Sequence, residues 1–162
     1  MIITIVNDTF GINNNGTTIS AMRFAKSLAE RGHTVRIVAC GHPDKSGIDS
    51  EHGYELFYVP ELIIPIISKI AHRQNTLFAK PDKAVLKKAI EGADIVHIYQ
   101  PWPLGSRAEK TARKLGVPCI AAFHIQPENI TYNIGLGKFT FLAHLVYHLL
   151  YLFFYRRFSH IL

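Results

Sequence analysis

The sequence predicts an α/β fold with a doubly wound, mainly parallel sheet, and three observations carry that reading. Short apolar runs rich in β-branched residues alternate with amphipathic stretches, and glycine-bearing loops join them. The cadence strand, helix, strand, helix is that of right-handed βαβ units. The size and composition, 162 residues with 48% hydrophobic and 19% charged, suit one globular domain burying about two-thirds of its unfolded surface.

Residues 2–6 form the first strand, being short, β-branched and followed at once by turn-forming residues. The loop 10–17 holds Gly11, Asn13, Asn14, Asn15 and Gly16, residues that tolerate tight turns. Met22, Ala25, Leu28 and Ala29 then line one face of a helix that stops at Arg31-Gly32-His33. The second strand is 34–39. Residues 42–53 show neither period and read as a loop, and 54–59 is the third strand. The segment 62–70 is strongly apolar, interrupted by Pro65 and followed by Arg73. Two readings stay open for it: a short buried helix, or an exposed apolar loop for a membrane or a greasy acceptor.

Pro81 opens a helix that runs to Glu91 and stops at Gly92, and 93–98 is the fourth strand. A stiff loop, Tyr99-Gln100-Pro101-Trp102-Pro103, leads into the helix 104–115, and 117–123 is the fifth strand. Residues 139–155 are apolar apart from Thr140, His144 and His148, and Arg156-Arg157 closes them. Two histidines in so short a stretch argue against a membrane span. A long helix packed on the sheet, with one side free to touch a bilayer, fits better. Residues 159–162 resemble the start of a further strand, so the chain is expected to be the N-terminal piece of a longer protein.

Several chemistries are disfavoured. Gly11-x-x-x-x-Gly16-Thr17-Thr18 approaches the phosphate-loop pattern, but Thr17 stands where the lysine belongs. No GxGxxG follows strand one, and strand two ends in Ala39-Cys40-Gly41 without an acid for a ribose, which disfavours a nicotinamide enzyme. His144 and His148 have metal-ligand spacing with no third ligand in view, so no metal is expected. No GxSxG elbow occurs. Cys40 and Cys119 lie outside zinc or redox spacing and read as reduced thiols of a cytosolic protein. The N-terminus is a strand, with no basic n-region or cleavage site of a signal peptide.

The net charge of +6 is spread over two helix faces, Lys83, Lys87 and Lys88 on one, Arg107, Lys110, Arg113 and Lys114 on the other. These are solvated faces, or a surface for anionic lipid or anionic substrates. Without interleaved aromatics they do not form a nucleic-acid motif, and no nucleic-acid partner is expected.

The site candidate is the strand-end segment Phe123-His124-Ile125-Gln126-Pro127-Glu128-Asn129. His124 falls just past the carboxyl end of strand five, on the edge that also carries the Asn-Gly loop and the Gln100-Pro101-Trp102 loop. In an open α/β sheet, ligands bind where such loops converge. His97, inside strand four, is expected to be buried and hydrogen-bonded rather than reactive.

In order, Arg31-Gly32-His33-Thr34-Val35, Asp94-Ile95-Val96-His97, Lys114-Leu115-Gly116-Val117-Pro118 and the strand-end His124 carry a resemblance. Together they resemble the N-terminal domain of family-4-type (group 1) retaining glycosyltransferases of GT-B fold, above all bacterial members that glycosylate membrane lipids. The resemblance implies that residues 1–162 form a Rossmann-like acceptor-side domain, with the donor-binding C-terminal domain outside this chain. It implies transfer of a sugar from a nucleotide-sugar to a hydroxyl acceptor, a membrane lipid among the candidates, with retention and no metal or other cofactor. Asn15, Gly16 and Thr17 would approach the donor phosphate or sugar, and His124 would orient the transferred sugar. Gln100, Trp102, Glu128 and Asn129 would shape the acceptor side. The protein would be cytoplasmic, peripheral at the inner face of the plasma membrane where anionic lipid draws it. Thr17 departs from the family's usual second loop glycine. This chain alone, lacking the donor-side glutamate motif, is expected to be inactive. A free-standing non-catalytic ligand-binding module, or a GT-B relative such as a sugar-phosphate epimerase, remains the alternative.

Overall fold

The computed structural model describes residues 1–11, 15–133, 135 and 138–162, without the side chains of Asn129, Ile130 and Asn133. The apolar run β1 (Ile2–Val6) takes the centre of the sheet because both of its faces are covered. It pairs in parallel with β2 (Thr34–Cys40) on one side and β5 (Ile95–Ile98) on the other. β4 (Glu55–Val59) extends the sheet beyond β2, and β6 (Cys119–Ala121) extends it beyond β5, all parallel. The two-residue β3 (Gly47–Ile48) pairs antiparallel with β4, giving the order β3-β4-β2-β1-β5-β6.

Alternation along the strands divides the apolar side chains between two layers. On one face Val6, Val38, Val96 and Ile98 pack against Leu86 and Ile90 of α3 (Lys83–Ile90) and against Leu104, Ala108 and Ala112 of α4 (Pro103–Leu115). On the other, Ile3, Ile5, Val35 and Ile37 pack with Ala21 and Ala25 of α1 (Gly16–Glu30). Helix ends obey local chemistry. The Asn15 side chain accepts from the Thr18 amide at the start of α1, and Asp82 accepts from Ala84 and Val85 at the start of α3. Gly116, at φ +70°, ends α4 in the left-handed conformation.

The doubly wound, mainly parallel sheet is therefore as the sequence predicts, and four details differ or sharpen. Inside 42–53, β3 forms against the edge of β4, where Ser46 Oγ also accepts from the Tyr58 amide. The apolar segment is part short helix and part exposed chain. α2 (Ile67–Arg73) buries Ser68 and Ala71, while Ile63, Ile66 and Ile67 stand exposed. A short helix not foreseen, α5 (Pro127–Asn133), follows His124, and its seven residues are too few to show a helical period. The long apolar helix is present as α6 (Thr140–Phe153), but it packs chiefly on α5 and on residues 155–157 rather than on the sheet as expected. The chain end does run as a strand segment, with Ile161 bridging Ala121 in parallel.

Candidate functional site

The carboxyl edge of the sheet carries a buried polar network where β1 and β5 end. Asn7, Asp8 and Thr9 are each at most 1% exposed. The Gln100 side chain accepts from the Asp8 amide at 3.1 Å and donates to Asn7 Oδ1 at 3.0 Å. Asn7 Oδ1 also accepts from the Thr9 amide, and the Thr9 and Thr18 hydroxyls share a 2.6 Å hydrogen bond. The loop after β1 is thus fastened to the loop after β5 and to the first turn of α1. Asp8 Oδ2 accepts from the Ala79 amide at 2.8 Å, and burial pushes its carboxyl up to about 7.

Ala79 belongs to a strap, residues 60–80, that leaves the sheet after β4 and returns before α3. Its neck is closed by hydrogen bonds from Lys80 N–H to the Pro60 carbonyl (2.8 Å) and from Leu62 N–H to the Phe78 carbonyl (2.7 Å). The Glu61 carboxylate meets the His72 ring within it. The Asn15 side chain, while capping α1 through its oxygen, donates through Nδ2 to the Asn75 carbonyl at 2.8 Å. One residue therefore joins the loop to the tip of the strap.

Between strap and sheet edge lies a cavity of about 550 Å³. Thr9, Asn15, Thr17, Gln100, His124 and Gln126, with Gln74 and Thr76 of the strap, supply its polar lining, and Ile67, Ile70, Ala71, Phe78, Trp102 and Ile125 its apolar lining. Phe78 and Trp102 meet edge to face at 5.2 Å. Among the described lining residues there is no Asp, Glu, Lys or Arg. The His124 ring lies nearly parallel to Tyr99, 5.3 Å between centroids and 16° between planes. Partial burial lowers its pKa, which favours the neutral ring.

Of the residues singled out from sequence, Asn15, Thr17, Gln100, Trp102 and His124 all line this cavity. Gly16 sits exposed at the start of α1, outside the lining. Glu128 is turned to α6, where its carboxylate accepts from Tyr147 Oη at 2.9 Å. Ile12, Asn13, Asn14 and the Asn129 side chain lie outside the described residues. His97 is buried as expected, but neither ring nitrogen has a hydrogen-bond partner among the described residues. Burial, with His124 nearby, pushes its pKa down to about 4. Sequence reasoning left the segment 62–70 between two readings and missed Asp8 and the return of the strap through Gln74, Thr76 and Phe78. The polar run Asn7-Asp8-Thr9 directly after a central strand was the available signal for Asp8.

Among the described residues no group of three or more His, Cys, Asp or Glu is placed to hold a metal ion. Nor is any described helix long and apolar enough to cross a membrane.

A parallel β4-β2-β1-β5-β6 core with a cavity at the strand carboxyl ends defines a Rossmann-like domain. Residues 14–162 match the model of Glycosyltransferase Family 4, and the chain belongs to that family. It is 31% identical over 125 residues to a GDP-mannose-dependent alpha-mannosyltransferase of Corynebacterium glutamicum, covering 76% of this chain and 29% of that protein. A protein of the same description from Mycolicibacterium smegmatis is 29% identical over 139 residues, covering 85% and 36% respectively. The chain thus spans about a third of the length of these relatives. Among solved structures, a sucrose-phosphate synthase from Thermosynechococcus elongatus shares the fold. Its TM-score is 0.55 at 11% identity, covering 81% of this chain and 35% of that one.

Proposed function

We propose that this chain is the acceptor-side half of a glycosyltransferase moving a sugar from a nucleotide-sugar to a hydroxyl group, with retention of configuration. The observation that carries the reading is the convergence of Asn15, Thr17, Gln100, Trp102 and His124 on one cavity at the sheet's carboxyl edge. In this reading the loop at Asn15, Gly16 and Thr17 approaches the donor, the glycine allowing close backbone contact. His124, neutral and at the mouth, hydrogen-bonds the transferred sugar and orients it, contributing position and electrostatics rather than general-base chemistry. Gln100 and Trp102 contact the acceptor. The rest of the donor site, and with it the nucleotide, belongs to a C-terminal domain.

An uncharged lining with an isoleucine wall supports a neutral acceptor that carries hydrocarbon, a membrane lipid in the first instance. Peripheral membrane contact at the cytoplasmic face fits the same surface. Ile63, Ile66 and Ile67 are exposed beside Lys69 and Arg73, and Phe141, Leu145, Leu149 and Phe153 form an exposed stripe along α6. The two relatives' names make GDP-mannose the first donor to try.

The test uses the full-length protein with radiolabelled GDP-mannose and vesicles containing anionic phospholipid and diacylglycerol. Label should enter the organic phase, and His124→Ala should reduce transfer about 100-fold or more. Transfer unchanged in His124→Ala would end the role assigned to that residue. Transfer only to water-soluble acceptors would end the lipid reading and leave the glycosyltransferase reading standing. Vesicle co-sedimentation that weakens at high salt is expected for the membrane contact, and equal recovery in the supernatant with and without vesicles would refute it.

A further inference from the structure

The His124 imidazole is not alone at the cavity mouth; it is the outermost ring of a column that runs back under α1. Tyr99, 2% exposed, lies flat beneath it. His97, 4% exposed, is tilted against Tyr99 with 4.5 Å between centroids, and Phe24 of α1 closes the column edge-on at 5.5 Å from His97. The sheet register makes this possible. His97 pairs with Ile120, so alternation places His97 and Tyr99 on the same face as Ile120, Ala122 and His124. The Ala122 amide donates to the Ile98 carbonyl at 2.8 Å, carrying the pairing past the end of β6 and bringing the two strand ends side by side.

We propose that Tyr99 is a positioning residue for His124: its buried ring is the shelf that fixes the plane of the imidazole, wedged from behind by His97 and Phe24. The inference rests on the reading of His124 as the group that meets the transferred sugar. A histidine on a strand end has two soft torsions. Stacking on a ring that is itself buried and packed restricts that freedom before substrate arrives, which is preorganisation. His97 suits the wedge because it stays neutral: its depressed pKa keeps a second cation from forming behind His124 near neutral pH. Nothing in this arrangement needs the Tyr99 hydroxyl, so the ring and not the phenol should matter.

Histidine ring NMR on the 162-residue chain tests this, with the His124 signal assigned through His124→Gln. Nuclear Overhauser contacts between Tyr99 and His124 ring protons are expected in the unmodified chain, and their absence would overturn the proposal. Tyr99→Phe should leave the His124 chemical shift and titration midpoint in place. Tyr99→Leu should move the signal downfield and raise the midpoint towards the ordinary histidine value. A folded Tyr99→Leu with both unchanged would overturn the proposal; if that variant fails to fold, the Overhauser contacts decide. In the full-length enzyme, Tyr99→Leu should lower kcat about tenfold with donor KM within about twofold, and Tyr99→Phe should restore it. Loss of the assigned role of His124 would show as transfer surviving His124→Ala, an outcome separate from the NMR result.

Discussion

Asp8→Asn isolates the cost of holding a carboxyl group where water cannot reach it. Asp8 is 1% exposed, and one carboxylate oxygen accepts from the Ala79 amide at 2.8 Å. That hydrogen bond favours the ionised form but is outweighed by burial, which lifts the pKa from 3.8 to about 7. Such a displacement costs the ionised folded state about 4 kcal/mol. The sign follows from proton binding: between pH 3.8 and about 7 the folded chain holds a proton that the unfolded chain releases. The stability contributed by this group is therefore full below pH 4, declines as pH rises, and is gone above about 7. Asparagine keeps an oxygen for the Ala79 amide and never ionises. Its extra amide donor, if unpaired, costs about 1–3 kcal/mol at every pH, so the informative quantity is the change with pH. Urea unfolding of both proteins at pH 4, 6 and 8 should show the variant gaining about 4 kcal/mol on the parent between the extremes. A difference flat with pH to within about 1 kcal/mol would refute the reasoning.

Three further outcomes can be checked by thermal or urea unfolding. A Cβ at Gly105 would lie 2.0 Å from the Gln100 carbonyl oxygen and 2.8 Å from Ile98. Overpacking of about 3 kcal/mol exceeds the helix-propensity gain of about 1. Gly105→Ala should thus lower Tm by about 4–8 °C, and an unchanged or raised Tm would refute the close packing of α4 on the strand end. Leu86→Ala, at a side chain with no exposed surface in the core under α3, should cost about 3 kcal/mol; a cost under about 1 would mean the site collapses around the change. Glu109, 3% exposed, meets Arg157 and Arg113, each at 3.3 Å, but the Arg157 side chain is 29% exposed and that of Arg113 72%. Arg157→Ala should cost about 3 kcal/mol and Arg113→Ala under about 1, and equal losses would contradict the difference in screening.

What the sequence makes legible is local. The β-branched run at Ile2–Val6 and the helix stops at Gly32 and Gly92 each announce themselves through backbone chemistry that acts over a few residues. The five cavity residues were found the same way, because strand ends and turn residues mark the functional edge of such a sheet. The strap was ambiguous for a physical reason: Ile63, Ile66 and Ile67 are as apolar as core residues but project from a segment whose neck and tip are tied down while they stand exposed. Asp8 reads as a turn residue until Ala79 and Cys40, distant in sequence, close over it. The ring column needs the β5–β6 register, which no single strand encodes.

The two walls of the cavity are built differently, and the difference bears on what it holds. Its floor consists of strand-end groups bonded to one another: Gln100 bonds to Asn7 and Asp8, and Thr9 to Asn7 and Thr18, while Asn7 Nδ2 is buried without a partner among the described residues. Moving any of them would leave buried polar atoms unpaired, so the floor is stiff. The opposite wall is the strap, whose α2 offers Ile67 and Ile70 and whose tip is tied by the Asn15–Asn75 hydrogen bond. Apolar contacts of that kind are non-directional and tolerate shape changes. A sugar or polyol acceptor would need directional partners on both walls, and the strap side offers mainly apolar surface with Gln74 and Thr76. On the proposed reading, a hydroxyl headgroup would lie against the floor and a hydrocarbon body along Ile67 and Ile70 of the strap.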